Sequence, residues 1–256
     1  MKITQIRNAT QILEYGPVRF LIDPMMSDKG SFPGFPGTIN EDLANPIVGL
    51  PLPFEKIVEV DVVILTHLHQ DHWDAVAAGA LPKSMPILVQ DERDAAEIRK
   101  AGFVDVLVVT EGMTYKGVTL YRTRAVHGVE AVYEAMPPEF LRVTGFVFGH
   151  PSEKTTYLAA DTIWFEGVAE AIGRHHPDVI VVNSGNAQAF GLGRLIMNAA
   201  DVLEVHKAAP AATIVGTHME AVNHCVLTRS ALRTFAEQQG FSGLLKLPSD
   251  GETIGL

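Results

Sequence analysis

Short apolar runs alternate with polar turns along the whole chain, and this pattern predicts an α/β fold. Near the start, the runs ITQI, TQILEY and VRFLID are separated by polar residues and by a Gly-Pro pair, which are typical of strands joined by tight turns. Further strands are predicted by VDVVIL (60–65), PILV (86–89), VDVLVV (104–109), VTLYRTRAV (118–126), VTGFVFG (143–149), TTYLAA (155–160), DVIVVN (178–183) and ATIVG (212–216).

Helices are predicted between these strands, where the polar pattern changes and capping residues stand at the ends. The predicted helices are a short one that begins at Asp74 and longer ones over 91–102, 164–176, 198–209 and 228–240. Thr228 is the expected N-cap of the last helix, and Gly240 ends it. No Ser-rich or Gly-rich linker divides the chain, so we expect one domain over residues 1–256, with two packed sheets and helices outside.

One long segment departs from this alternation. Residues 24–53 are rich in proline and glycine, and we expect Met25, Met26, Phe32 and Phe35 to be exposed there. A loop of this length in a compact domain is often a wall or lid of a binding site, although an ordinary surface loop has the same composition. Residues 129–141 are a second candidate wall, and the apolar content of both segments predicts a partly apolar cleft.

Charge and cysteine content restrict the class of protein. The formal net charge is −10, from 20 basic and 30 acidic residues, which does not provide the basic face that nucleic-acid binding requires. Cys225 is the only cysteine, so no disulfide can form within the chain. There is no apolar signal core at the start and no apolar run of the roughly 18 residues that a membrane span needs. We therefore expect a cytoplasmic protein that binds neither membranes nor nucleic acid.

Residues that bind metals follow several of the predicted strands. The motif HxHxDH comes directly after the strand at 60–65, and single residues of the same kind follow three later strands. Because loops at strand ends form the sites of α/β proteins, we expect these side chains to meet. Imidazole and carboxylate groups are good ligands for divalent ions, whereas burying them unpaired would cost several kcal/mol. The candidate metal ligands are His67, His69, Asp71, His72, His127, Asp161 and His218.

The motifs THLHQDHWD, AVHG, AADT and GTHME resemble those of the metallo-β-lactamase superfamily. The stretches LIDPMMS and MNAADVLEVH are similar to its ascorbate-6-phosphate lactonase-like branch. The resemblance covers almost the whole chain and implies a four-layer αββα sandwich with a metal site at one edge between the sheets. It also implies three groups of ligands: His67, His69 and His127 for a first ion, Asp71, His72 and His218 for a second, and Asp161 as the bridge between them.

The resemblance implies a metal-dependent hydrolase that uses a metal-activated hydroxide on a small-molecule lactone, ester, amide or phosphoester. One or two divalent ions are expected, with Zn²⁺ preferred and Mn²⁺ as the alternative. Asp71 would bind metal and orient the hydroxide, and His224 would contact the substrate or donate a proton. The alternative for His224 is a structural histidine in the core or at a helix start. Asp23, Asn183 and Ser184 end strands and are candidates for orienting the ligands, although Asp23 could equally cap a turn.

Two other functions remain open at this stage. A nuclease or phosphodiesterase of the same superfamily would use the same ligands, but neither the length nor the charge of the chain favours a nucleic-acid clamp. A non-catalytic metal-binding or metal-sensing protein is the other alternative, and the complete ligand set argues against it. Cys225 is not expected to act as a nucleophile. The sequence is compatible with a homo-oligomer, and it does not identify the substrate.

Overall fold

Two seven-stranded sheets lie at the centre of the protein in a computed structural model that describes residues 1–256. The strands of the first sheet are β1 (Lys2–Arg7), β2 (Thr10–Tyr15), β3 (Val18–Ile22), β4 (Val62–Ile64), β5 (Ile87–Val89), β6 (Val106–Val108) and β16 (Thr253–Gly255). Their order across the sheet is β16-β1-β2-β3-β4-β5-β6. The sheet is antiparallel from β16 to β3 and parallel from β3 to β6.

The second sheet is also antiparallel at one side and parallel at the other. Its strands are β7 (Met113–Tyr115), β8 (Val118–Thr123), β9 (Gly145–Gly149), β10 (Thr156–Leu158), β11 (Val179–Asn183), β14 (Thr213–Thr217) and β15 (Leu245–Lys246), in the order β15-β14-β11-β10-β9-β8-β7. Strands β10, β11, β14 and β15 are parallel, so their carboxyl ends lie at the same edge. A small separate hairpin is formed by β12 (Gln188–Ala189) and β13 (Gly193–Arg194).

The longer helices cover the outer faces of the two sheets. The helices are α1 (Phe54–Ile57), α2 (Ala75–Ala80), α3 (Glu92–Lys100), α4 (Glu130–Ala135), α5 (Glu166–His175), α6 (Ala199–Ala208) and α7 (Arg229–Gln239), with 3₁₀ turns at Pro138–Leu141 and Ser242–Leu244. Buried residues of α2 and α3 pack on the first sheet, and those of α5, α6 and α7 pack on the second. None of the helices combines the length and the apolar character that a membrane span requires.

One apolar cluster fills the space between the sheets. Phe20 from the first sheet and Phe148 from the second meet edge to face, with ring centroids 5.2 Å apart. Their neighbours Leu13 and Val181 are also buried in this cluster. Because strand side chains alternate between faces, each sheet contributes one apolar face to this cluster and the other to the helices. The result is the four-layer αββα sandwich that the sequence predicts.

The helix ends agree closely with the sequence. Asp74 caps α2 by accepting a hydrogen bond from Ala77 N, and Thr228 caps α7 in the same way through Ala231 N. Gly240 ends α7 in the left-handed conformation, with φ of 79°. These outcomes follow from local chemistry, because a capping side chain and a glycine at the helix end satisfy backbone groups within a few residues.

Two sequence predictions differ from the structure, and five short strands were not predicted. β8 ends at Thr123, so His127 follows it through a short loop rather than directly. The short strands β7, β12, β13, β15 and β16 have two or three residues each and too little pattern to be predicted. Met25 and Met26 are buried, with 0% and 2% of their surface exposed, whereas Phe32 and Phe35 are half-buried. The backbone of both methionines is held inside the protein, where Arg7 donates to Met25 O and Asp74 accepts from Met26 N.

Candidate metal centre

The seven candidate ligands lie on four loops that follow strands of both sheets. The loop after β4 carries His67, His69, Asp71 and His72. Asp161 follows β10, His218 directly follows β14, and His127 lies in the loop after β8. Since β4, β10 and β14 belong to the parallel parts of their sheets, their carboxyl ends bring these loops to one edge of the sandwich.

Three groups of ligand atoms are close enough to hold an ion. Within each group, all the candidate donor atoms lie within 4.8 Å of one another. The groups are His67 with His69 and His127, Asp71 with His72 and His218, and His67 with His72 and Asp161. Asp161 therefore belongs to a group that draws one histidine from each of the other two. Its Oδ2 lies 3.7 Å from His127 Nε2 and 3.3 Å from His72 Nε2.

The outward-facing ring nitrogens are already bound, which leaves the inner nitrogens free. His72 Nδ1 is 2.8 Å from Asp23 Oδ2, and His127 Nδ1 is 3.1 Å from Leu195 O. Both partners can only accept, so each Nδ1 carries a proton and each Nε2 is turned towards the other ligands. Thr66 gives its own proton to Asp23 Oδ2, so it accepts one from His67 Nδ1, 2.9 Å away.

Inner nitrogens of different histidines face one another. His67 Nε2 is 3.0 Å from His69 Nδ1, and His72 Nε2 is 3.1 Å from His218 Nε2. Where two ring nitrogens meet with no acceptor between them, a proton or a metal cation must lie among them, because two lone pairs would repel. Imidazoles that donate their other N–H to an acceptor are the usual ligands of zinc and related ions, so the residues present fit a divalent metal.

Burial and the carboxylates set the charge of the centre. Burial lowers the pKa of His67 and His127, and it lowers the pKa of His69 to about 4, so these imidazoles are neutral. Burial alone would also lower the pKa of His72, but the carboxylates of Asp161 and Asp71 raise it to about 10. The two carboxylates thus attract positive charge to the half of the centre that contains His72, which is the electrostatic condition for binding a cation.

Several residues around the ligands have left-handed backbone conformations. Asn8, Asp23, Ala160 and His218 have φ values of 50°, 44°, 60° and 59°. Such values are uncommon for residues other than glycine and concentrate at functional sites, where the surrounding structure holds them. His218 N, for example, donates to Asn8 O over 2.9 Å.

The residues expected to orient the ligands divide into two groups. Asp23 contacts His72 and Thr66, and Asn183 Nδ2 donates to Asp161 Oδ1 over 2.5 Å. Ser184 is buried, but its hydroxyl lies against Met219 Sδ at 3.7 Å rather than against a ligand. His224 is buried beside the centre and contacts none of the seven ligands through a hydrogen bond.

Sequence reasoning missed three contacts. Asn8 Nδ2 donates to Asp71 O over 3.0 Å and lies 3.3 Å from Asp71 Oδ2. Leu195 contributes only its backbone carbonyl to His127, which no side-chain pattern reveals. Cys225 Sγ is 3.3 Å from His218 Nδ1, so the thiol orients a candidate ligand instead of standing as a nucleophile. The Asn8 signal was present in the sequence as a polar residue in a tight turn between two strands.

Comparison with known proteins places the chain in a family. The model of the beta-lactamase superfamily domain matches residues 18–219. The UPF0173 protein YddR of Bacillus subtilis (strain 168) is 47% identical over 255 residues, which are 99% of each chain.

Two solved structures superimpose on the whole chain with a TM-score of 0.97. An isothiocyanate hydrolase from Delia radicum gut bacteria is 44% identical, covering 100% of this chain and 99% of its own. A protein described as a possible metal-dependent hydrolase from Veillonella parvula DSM 2008 is 38% identical, with the same coverage. The chain therefore belongs to the beta-lactamase superfamily and is a metal-dependent hydrolase with the metallo-β-lactamase fold.

Proposed function

We propose that this protein hydrolyses small, neutral electrophiles, with isothiocyanates as the substrate class. The observation that carries the proposal is the cluster of seven donors in three overlapping groups, with all but His69 buried. The substrate class is supported by the similarity, over the full length of both chains, to an isothiocyanate hydrolase. The motif resemblance also implies alternative substrates for the same centre, namely lactones, esters, amides and phosphoesters.

Two divalent ions fit the donors. His67, His69 and His127 would hold one ion, Asp71, His72 and His218 the second, with Asp161 shared between them. A set dominated by imidazole suits Zn²⁺, and the carboxylates also allow Mn²⁺. When bound, such ions lower the pKa of water from about 15.7 towards 7 and polarise the substrate.

The reaction of an isothiocyanate balances with one water. The water oxygen bonds to the central carbon of R–N=C=S, and the C=N π electrons move to nitrogen, giving a thiocarbamic acid. Cleavage of its C–N bond then releases R–NH₂ and carbonyl sulfide, with both water protons on the amine. Asp71 Oδ2 contacts His218 Nε2 at 3.1 Å and Asn8 Nδ2 at 3.3 Å, whereas Oδ1 takes part in no hydrogen bond within the chain. Oδ1 is therefore available to accept a proton from the attacking water.

The side chains around the centre offer no cationic partner for a phosphate ester beyond the metal ions themselves. No lysine or arginine forms a hydrogen bond or ion pair with any of the seven cluster residues. Arg7, although fully buried, uses its guanidinium on the carbonyl oxygens of Met25, Ser27 and Val48. A multiply charged phosphate would lack the cationic side chains that usually bind it.

Turnover of a substrate panel tests the proposal. The protein is loaded with Zn²⁺ or Mn²⁺, its metal content is measured by mass spectrometry, and benzyl isothiocyanate is compared with a lactone, an ester, an amide and a phosphodiester. We expect release of benzylamine and carbonyl sulfide, and loss of that release in His69→Ala. His150→Ala is the matched control, because the His150 ring hydrogen-bonds only Ser152 and because His150 follows β9, which runs antiparallel to β10, at the opposite edge of the sheet. Equal rates in wild type and His69→Ala, or no turnover by fully loaded protein, would contradict the proposal.

A further inference from the structure

His224 is a buried histidine whose ring has no hydrogen-bond partner in the chain. Only 7% of its surface is exposed, and Nδ1 is fully buried without a partner. Protein interiors rarely leave a polar atom in this state, because burial removes its water without a replacement. Where such an atom lies beside a reaction centre, a ligand is the simplest partner for it.

The position of His224 beside the centre follows from its neighbours. The adjacent residue, Cys225, contacts the candidate ligand His218 at 3.3 Å. The imidazole of His224 also experiences the charges of Asp71 and Asp161, although burial is the larger effect and lowers its pKa to about 4. The ring is thus neutral, with one N–H that donates and one nitrogen that accepts.

Phe35, from the long segment 24–53, forms the apolar side of the same position. Its ring meets that of His224 edge to face, with centroids 5.0 Å apart and planes at 88°. Phe32 extends the apolar surface, with its centroid 6.0 Å from that of Phe35. Both phenylalanines are half-buried, so part of each residue is accessible from outside the protein.

The residue next to His224 fixes this arrangement. Asn223 Oδ1 accepts hydrogen bonds from Phe35 N at 3.2 Å and from Asn45 Nδ2 at 2.7 Å. Asn223 Nδ2 donates to Thr38 Oγ1 and Ile39 O, both at 2.9 Å. All the hydrogen-bonding capacity of one buried side chain therefore holds the segment against the loop that carries His224. The contact between Phe35 and His224 is built into the fold rather than incidental.

We infer that His224 is a catalytic residue that hydrogen-bonds the nitrogen of the substrate while Phe35 packs against its apolar arm. The inference rests on the proposed function for the choice of an isothiocyanate. As the C=N electrons move to nitrogen, a neutral imidazole N–H stabilises the developing negative charge. The protons that nitrogen finally carries come from the attacking water, so His224 undergoes no net change of protonation.

Kinetics with two substrates tests both halves of the inference. Benzyl isothiocyanate carries an apolar arm, and methyl isothiocyanate lacks one. We expect His224→Ala to lower kcat by about 100-fold for both substrates, as for loss of one positioned donor. His224→Gln, which keeps an N–H donor, should recover part of that loss. Phe35→Ala should raise KM for the benzyl substrate at least about 10-fold more than for the methyl substrate, by loss of apolar contact.

Binding of an unreactive analogue separates this inference from the proposed function. N-Benzylthiourea has the benzyl group and the N–C=S atoms but no reactive cumulated bonds, and its binding is measured by calorimetry. Metal content and thermal unfolding of each variant show whether the centre is intact, and His150→Ala serves as the matched histidine control. The thiourea nitrogens of the analogue donate, so they would bind the accepting nitrogen of the His224 ring. We expect His224→Ala to bind the analogue at least about 10-fold more weakly, as for loss of one hydrogen bond.

The outcomes are distinct. If wild type binds the analogue in a manner that depends on His224 but hydrolyses no isothiocyanate, the proposed function fails, whereas the assignment of His224 as a residue that hydrogen-bonds the ligand stands. If wild type is active and His224→Ala, with its metal retained, has unchanged kcat and analogue binding, the inference is overturned. Absence of analogue binding to the wild-type protein also overturns it.

Discussion

Asp23 controls one histidine from each of the two proposed ligand groups. Its Oδ2 accepts from His72 Nδ1 at 2.8 Å and from Thr66 Oγ1 at 2.7 Å, and Thr66 in turn accepts from His67 Nδ1 at 2.9 Å. Its Oδ1 accepts from Thr66 N at 2.8 Å. A single carboxylate therefore fixes the ring orientation and the tautomer of His72 directly and of His67 through a hydroxyl.

Replacing this carboxylate by an amide should weaken metal binding. In Asp23→Asn one acceptor oxygen becomes an NH₂ group that faces donors, so we expect the affinity for Zn²⁺ to fall by about 10–100-fold. Competition against a chelating indicator measures the affinity. Asp28→Asn is the control, because Asp28 is exposed and forms no hydrogen bond with the ligands. Equal affinities in wild type and Asp23→Asn would show that Asp23 caps the turn after β3 and does not orient the ligands.

At the scale of elements, Asp74 joins helix α2 to the start of the long segment 24–53. Its Oδ1 accepts from Ala77 N at 2.7 Å and caps the helix. Its Oδ2 accepts from Met26 N at 2.7 Å, and from Ser27 N and Ser27 Oγ at 2.6 Å each. These hydrogen bonds from the segment to Asp74 explain why it begins buried and becomes exposed only beyond Ser27.

Replacing Asp74 should destabilise the protein more than removing an ordinary helix cap. Asp74→Ala removes a cap and leaves three buried donors without a charged acceptor, so we expect the free energy of unfolding to fall by about 3–5 kcal/mol. Thr228→Ala removes one exposed cap and should cost about 1 kcal/mol. Urea denaturation followed by circular dichroism measures both. Similar losses in the two variants would mean that the bonds to the long segment add nothing.

At the scale of the whole molecule, the candidate centre joins the two sheets. His67, His69, Asp71 and His72 come from the first sheet, and His127, Asp161 and His218 from the second. Away from this edge, the sheets are held by the apolar cluster around Phe20 and Phe148. A metal ion would therefore bind groups that an unfolded chain does not bring together, so binding and folding are coupled.

Metal loading should stabilise the entire domain. We consider a single site and an unfolded chain that does not bind the ion. At a free Zn²⁺ concentration about 100 times the dissociation constant, we then expect the free energy of unfolding to rise by about 2.7 kcal/mol. A chelator should reverse the change. Calorimetric unfolding of loaded, stripped and reloaded protein measures it, with His218→Ala as the variant that removes a ligand from the second group. An unfolding temperature independent of metal would contradict coupling between the site and the fold.

The sequence by itself determined the longer helices and strands and predicted the candidate donors. Helix caps such as Asp74 and Thr228 depend on residues only a few positions apart, and so does the HxHxDH motif after a buried run. Such local patterns can be predicted from the sequence alone. The αββα arrangement also followed, from the order of strands and helices and from the resemblance of the motifs.

Tertiary structure alone decided which groups surround the donors. Asn8 lies 63 residues from Asp71 and 210 from His218, and Leu195 reaches His127 through a backbone carbonyl that any residue possesses. The meeting of Phe35 with His224 likewise depends on Asn223 holding a segment almost two hundred residues away. Such contacts arise from the packing of distant segments, and neither periodicity nor local spacing encodes them.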